Sequence, residues 1–169
     1  MTLDDLNAAD APGFAHLLEG VFENAPWVAH AAASQRPFAS VEALHAALLG
    51  AVRAASAETQ LAFLRGHPAL SPKAVVDPEV SADSRAEQKG LGLGALGSEL
   101  DRFVAMTRAY DAKFGFPFIL CVRRHTAAEA LRQLETRLDG EAATEAQAAL
   151  REIGYITRLR LDDRISAAP

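Results

Sequence analysis

The sequence predicts an all-α protein, a single-domain helical bundle of about eight helices across residues 1–169. Three observations carry this reading. Half of the residues are hydrophobic, and alanine, the residue with the lowest helix cost, is very common. Apolar residues recur at three- and four-residue spacing in segment after segment. Helix caps and breakers punctuate those segments, and no pair of alternating runs supplies a sheet.

The elements come in this order. Asp10 before Ala11-Pro12 starts a helix in which Phe14, Leu17, Leu18, Val21 and Phe22 recur at helical spacing. Asn24-Ala25-Pro26-Trp27 is a break or a second helix start, leading into an alanine-rich segment through Ala33, and Arg36-Pro37-Phe38 breaks the chain again. Ser40 is the N-cap of a helix carrying Leu44, Leu48 and Val52. A short helix spans 57–64. From Gly66 to Val80 His-Pro, Ser-Pro and Asp-Pro pairs push the chain away from helix, giving an irregular segment. Ser81 or Ser84 starts the next helix, through about Lys89, and four glycines from Gly90 to Gly97 lower the helix propensity beyond it. Ser98 opens a helix with Leu100, Phe103, Val104, Met106 and Tyr110 as its apolar set, and Phe114 to Phe118 closes it. Phe116 to Val122 reads as an extended or helical buried segment, because a lone strand has no partner. Thr126-x-x-Glu129 is a capping box for a helix ending near Asp139-Gly140, and a last helix runs from about Glu141 to Leu161.

Composition narrows the function. A chain of 169 residues buries roughly two thirds of its unfolded surface, enough for a substantial core. The net charge of −5 argues against a nucleic-acid module. No apolar run reaches the ~20 residues of a membrane span, and no signal peptide is visible, so the expected compartment is the cytoplasm. The single cysteine, Cys121, excludes an internal disulfide and a cysteine-rich zinc site, and its apolar surroundings make it a core thiol. His16, His30, His45 and His125 show no metal-binding spacing, so no metal site is expected.

A handful of features can carry chemistry, each beside a plainer explanation. His67 ends an apolar helix and precedes Pro68, where helix gives way to irregular chain; its plainer role is to bind the last helical carbonyls. Ser84-x-x-Glu87 matches a capping box, but Glu87 facing a cleft can orient an imidazole or move a proton. Gln88 offers donors and an acceptor suited to a ureido or amide group. Phe114-Gly115-Phe116-Pro117-Phe118 is either a buried corner or a rigid wall whose main-chain groups meet a planar ligand. On the last helix, at about 100° per residue, Leu150, Ile153, Ile156, Leu159 and Leu161 form one stripe, with Arg160 near its middle and Arg151 and Arg158 well away. An arginine there needs an internal carboxylate or a substrate anion.

Taken in order, Pro26-Trp27-Val28-Ala29, Arg36-Pro37-Phe38, His67-Pro68-x-Leu70, Ser84-x-x-Glu87-Gln88, Tyr110-x-x-Lys113-Phe114-Gly115-Phe116-Pro117-Phe118 and Leu159-Arg160-Leu161 resemble the OHCU decarboxylases of uric acid degradation. OHCU is 2-oxo-4-hydroxy-4-carboxy-5-ureidoimidazoline, and the resemblance spans nearly the whole chain. It implies an all-helical homodimer that converts OHCU to (S)-allantoin and carbon dioxide without metal or organic cofactor. It also implies His67 as catalytic residue with Glu87 as acidic partner. Pro68, Ser84, Gln88, Arg160 and main-chain groups from Phe116 to Ile119 are the implied substrate contacts. The chain departs from the family pattern at Thr107, where Asn is usual, and at Leu91-Gly92-Leu93, where Ala-Gly-Leu is usual. The first bears on a helix contact and the second on one wall; neither removes a proposed catalytic group. A non-catalytic ureide-binding protein, or a decarboxylase of a related ring, are the alternatives.

Overall fold

A computed structural model of the protein describes residues 1–166. Among the described residues it contains nine α-helices, three short 3-10 turns and no strand. The helices are α1 (Leu3–Ala8), α2 (Ala11–Leu17), α3 (Pro26–Ala32), α4 (Val41–Ala54), α5 (Ala57–Arg65), α6 (Ala82–Leu91), α7 (Leu100–Phe114), α8 (Ala127–Leu138) and α9 (Ala142–Arg164). The all-α expectation therefore holds. The chain comprises two compact units. One is Met1–Phe63 with residues 154–166; the other is Leu64–Ile153.

In the first unit, Asp10 caps α2 by accepting from the Gly13 N–H at 2.8 Å, and Pro12 lies in the opening turn. The helix stops at Leu17, earlier than the apolar spacing predicts: Gly20 takes a positive φ of 78°, and Val21 and Phe22 are buried from turns instead. Pro26 opens α3. Ser40 caps α4, accepting from the Ala43 N–H at 3.1 Å, and Leu44, Leu48 and Val52 are the buried face. α3 packs on α2 and α4. Phe14 stacks on Phe38 with ring centroids 6.1 Å apart, and the Arg36 guanidinium lies 4.7 Å from the centre of the Phe14 ring. Asn7 locks the turn at Phe38 through two bonds, donating to its carbonyl at 2.9 Å and accepting from its N–H at 2.8 Å.

His45 on α4 carries a testable consequence. Its Nε2 lies 3.0 Å from Thr157 Oγ1 on α9. Burial holds its pKa below the usual 6.5, helped by the positive charges of Arg158 and Arg53 and opposed by the Gly154 carbonyl and Asp162. Below pH 6.5 the unfolded chain therefore binds a proton that the folded chain resists. This contribution to stability is present above 6.5 and is lost as pH falls from there through the lower folded value. The melting temperature is expected to drop as pH falls below 6.5, and His45→Gln to flatten that part of the profile. An unchanged slope in the variant would assign the pH dependence elsewhere.

In the second unit, α7 packs on α8, and α6 packs on the 3-10 turn Val122–Arg124. Tyr110 is the hub of the apolar cluster: its ring lies 4.5 Å from Phe114, 6.0 Å from Phe116 and 5.4 Å from Phe118. The aromatic motif packs around this ring as a corner, with Gly115 turning the chain at φ 75°. Phe116 to Cys121 is largely buried chain outside any helix. The Thr126–Glu129 capping box forms as predicted. Two starts differ. α7 follows a 3-10 turn (Leu93–Glu99) that absorbs Ser98, so Ser98 does not cap it. Ser81, not Ser84, caps α6, accepting from the Ser84 N–H at 3.2 Å.

Candidate active site

The shift of the α6 cap to Ser81 frees Ser84 from the capping box and changes what the helix presents. Ser84 and Glu87 now lie inside α6, and Ser84, Glu87, Gln88 and Leu91 recur at the spacing of one helical face. Ser84 is 4% exposed, Gln88 7% and Leu91 8%, while Glu87 is half-buried.

His67 lies two residues past α5, half-buried with Pro68 beside it. Its main-chain N–H closes the helix end by donating to the Leu64 carbonyl at 3.2 Å. Arg65 fixes the same corner from α5, donating from Nε to the Gly115 carbonyl at 2.9 Å.

Gln88 joins α6 to the loop after His67 and Pro68. Its Oε1 accepts from the Ser71 N–H at 3.1 Å, and its Nε2 donates to the Ala69 carbonyl at 3.3 Å. Those bonds use one of its two donor hydrogens and one acceptor position, and they set the loop's height over α6.

Phe116 and Ile119, at 2% and 1% exposure, belong to the non-helical segment. Within it the Cys121 thiol is pushed up to about 11, first by burial and then by the Glu152 and Glu87 carboxylates. That places Glu87 within electrostatic reach of the segment. It also makes Cys121 the core thiol expected, since a nucleophile needs the thiolate. Of the family departures, Thr107 turns inward on its own helix, donating to the Val104 carbonyl at 2.9 Å. Leu91 and Leu93 are both buried on either side of Gly92, which ends α6 at a positive φ of 65°.

Arg160 belongs to the first unit. The helical wheel places it on the apolar stripe, and it is 2% exposed. Its Nη1 donates to Glu23 Oε2 at 2.9 Å and to the Gly20 carbonyl at 3.0 Å. The internal carboxylate that the sequence leaves open is therefore Glu23, itself 5% exposed. Arg158, pointing away, instead makes exposed pairs with Glu42 at 2.7 Å and Asp162 at 2.9 Å.

Sequence reasoning missed three sets of polar groups. Glu23 is one. The others are the Arg137–Glu145–Tyr110 cluster and Glu152, all of which bond within the second unit. Arg137 carries one weak signal: with Ala130, Leu131 and Leu134 it lies on the buried stripe of α8.

Comparison with known proteins gives the family. The family model described as OHCU decarboxylase matches residues 7–162. The chain belongs to the OHCU decarboxylase family. It is 36% identical to the 2-oxo-4-hydroxy-4-carboxy-5-ureidoimidazoline decarboxylase of Haloferax volcanii over 168 residues, covering 99% of this chain and 98% of that one. The uric acid degradation bifunctional protein PucL of Bacillus subtilis is 41% identical over 166 residues, 98% of this chain. The match spans only 33% of that longer protein. Among solved structures, an (S)-allantoin synthase superposes with a TM-score of 0.77 at 27% identity, over 98% of this chain and 54% of that chain. An OHCU decarboxylase solved in the presence of (S)-allantoin gives a TM-score of 0.63 at 25% identity, over 83% of this chain and 92% of that chain.

Proposed function

We propose that the protein is a carboxy-lyase that converts OHCU to (S)-allantoin in uric acid degradation. The observation that carries this is the family match across residues 7–162, which includes every residue assigned to the site. The reaction balances simply. The bond from C4 to the carboxyl group breaks, carbon dioxide leaves, and the electron pair enters the adjacent unsaturated ring. A proton returns to ring carbon, and the C4 hydroxyl becomes a carbonyl. The electron sink is part of the substrate, so the reading needs neither metal nor organic cofactor.

His67 is assigned the proton transfer, because an imidazole titrates near working pH. Glu87 is assigned its orientation. Pro68, Ser84 and Gln88 hold the ureido and ring edges, Phe116 and Ile119 form the wall, and Arg160 takes the substrate anion. Protonation from one face gives the S centre. Two supports come from geometry: α6 presents Ser84, Glu87 and Gln88 on one withdrawn face, and Gln88 fixes the loop after Pro68. Among the described residues no helix is long and apolar enough to cross a membrane. The reading places the enzyme in the cytoplasm as a homodimer, which sedimentation of the purified protein measures.

The deciding experiment is circular dichroism during urate breakdown, with oxidase and hydrolase supplied. Adding the protein should make an optically active allantoin signal build faster, with matching carbon dioxide release. Binding of allantoin without faster release would leave a ureide-binding protein in its place.

A further inference from the structure

The non-helical chain from Phe116 to Cys121 is largely buried, and buried main-chain polar groups outside helices need partners. Two of them are taken by charged side chains. The Ile119 carbonyl accepts from Arg137 Nη1 at 2.7 Å, and the Cys121 N–H donates to Glu152 Oε2 at 2.8 Å. These groups flank Leu120, itself 5% exposed.

Arg137 is itself over-determined. Its Nε bonds Glu145 Oε2 at 2.8 Å, and its Nη2 donates to Tyr110 Oη at 3.2 Å. Tyr110 Oη donates in turn to Glu145 at 2.6 Å. The guanidinium lies 4.8 Å from the centre of the Phe118 ring. A buried ion pair is often no more stabilising than apolar packing, so its effect is better sought in what it orients. Here it fixes one peptide group of the segment, and Glu152 fixes another.

We propose that Arg137 and Glu152 are positioning residues that clamp the main chain on both sides of Leu120 and so set the substrate wall formed by Phe116 and Ile119. The clamp rests on the reading of that segment as the wall. It acts through the main chain, so its loss weakens substrate binding while leaving His67 and Glu87 untouched.

Glu152 is half-buried on α9 and gives the cleaner test, since Arg137 variants risk misfolding. In Glu152→Ala the Cys121 amide should exchange with deuterium about tenfold faster by NMR, and KM should rise about tenfold with kcat nearly unchanged, the size expected for one lost hydrogen bond. Glu152→Gln retains an acceptor oxygen and should restore both. Arg137→Lys cannot reproduce the fork to Ile119 and Glu145, and should raise KM and lower the enantiomeric excess of the product. Unchanged exchange or unchanged KM in Glu152→Ala would overturn the clamp, as would a Gln variant as impaired as the Ala one. A wild type that does not turn over OHCU would instead retire the decarboxylase reading, and the exchange measurement would still show whether Glu152 holds the segment.

Discussion

His67→Ala is expected to lower kcat by about 10²–10⁴, the usual contribution of a positioned acid–base group, while shifting the melting temperature little. The stability expectation comes from what the residue does in the fold. Its helix-closing bond to Leu64 is made by the main chain, which alanine keeps, so the end of α5 is retained in the variant. Glu87→Gln should also be severely impaired, because an amide keeps the shape but cannot support an imidazolium. This second variant has a readout independent of turnover. The Glu87 carboxylate is one of the charges that raise the Cys121 thiol, so removing it should bring the thiol pKa down from about 11. A thiol pKa that falls but stays above the ~8.5 of an exposed cysteine, while activity falls, would show that the variant is folded and that the charge, not the scaffold, was lost. Optically active allantoin at the wild-type rate from either variant would end the assignment.

The parts of the fold legible in the sequence are those decided by neighbouring residues. Thr126 and Glu129 satisfy each other's main chain within four residues, and Ser40 caps α4 through a bond three residues on. The wheel finds Arg160 because burial on a long helix follows its period. Choices made by tertiary packing are not legible. Ser81 and Ser84 are equally good caps locally, and the decision comes from burying Ser84, Gln88 and Leu91 together. The first helix escapes a sequence reading because α1 has a single buried residue, Leu6, too few for any period. Tyr110 reads as one more apolar position on α7, yet its hydroxyl meets Glu145 35 residues further on. Nothing in the intervening sequence specifies that partner. The same holds for Glu23 and Arg160, 137 residues apart.

That last pair carries the second large effect. With both side chains nearly inaccessible, Glu23→Gln leaves a guanidinium without its carboxylate and should destabilise by about 3–5 kcal/mol, measured by denaturant unfolding. Arg160→Met should cost a similar amount. Glu23→Leu with Arg160→Met removes both charges and should recover most of the stability, because an ion pair replaced by apolar groups is often neutral or better. That double variant separates the two roles open to Arg160. If the arginine serves only the fold, recovered stability brings recovered activity. If it also takes the substrate anion, the double variant folds well and still shows a KM raised roughly tenfold or more, the loss expected for a charge-assisted contact. The second outcome is expected: removing a guanidinium that the proposed mechanism assigns to the substrate costs binding whatever fills the core behind it.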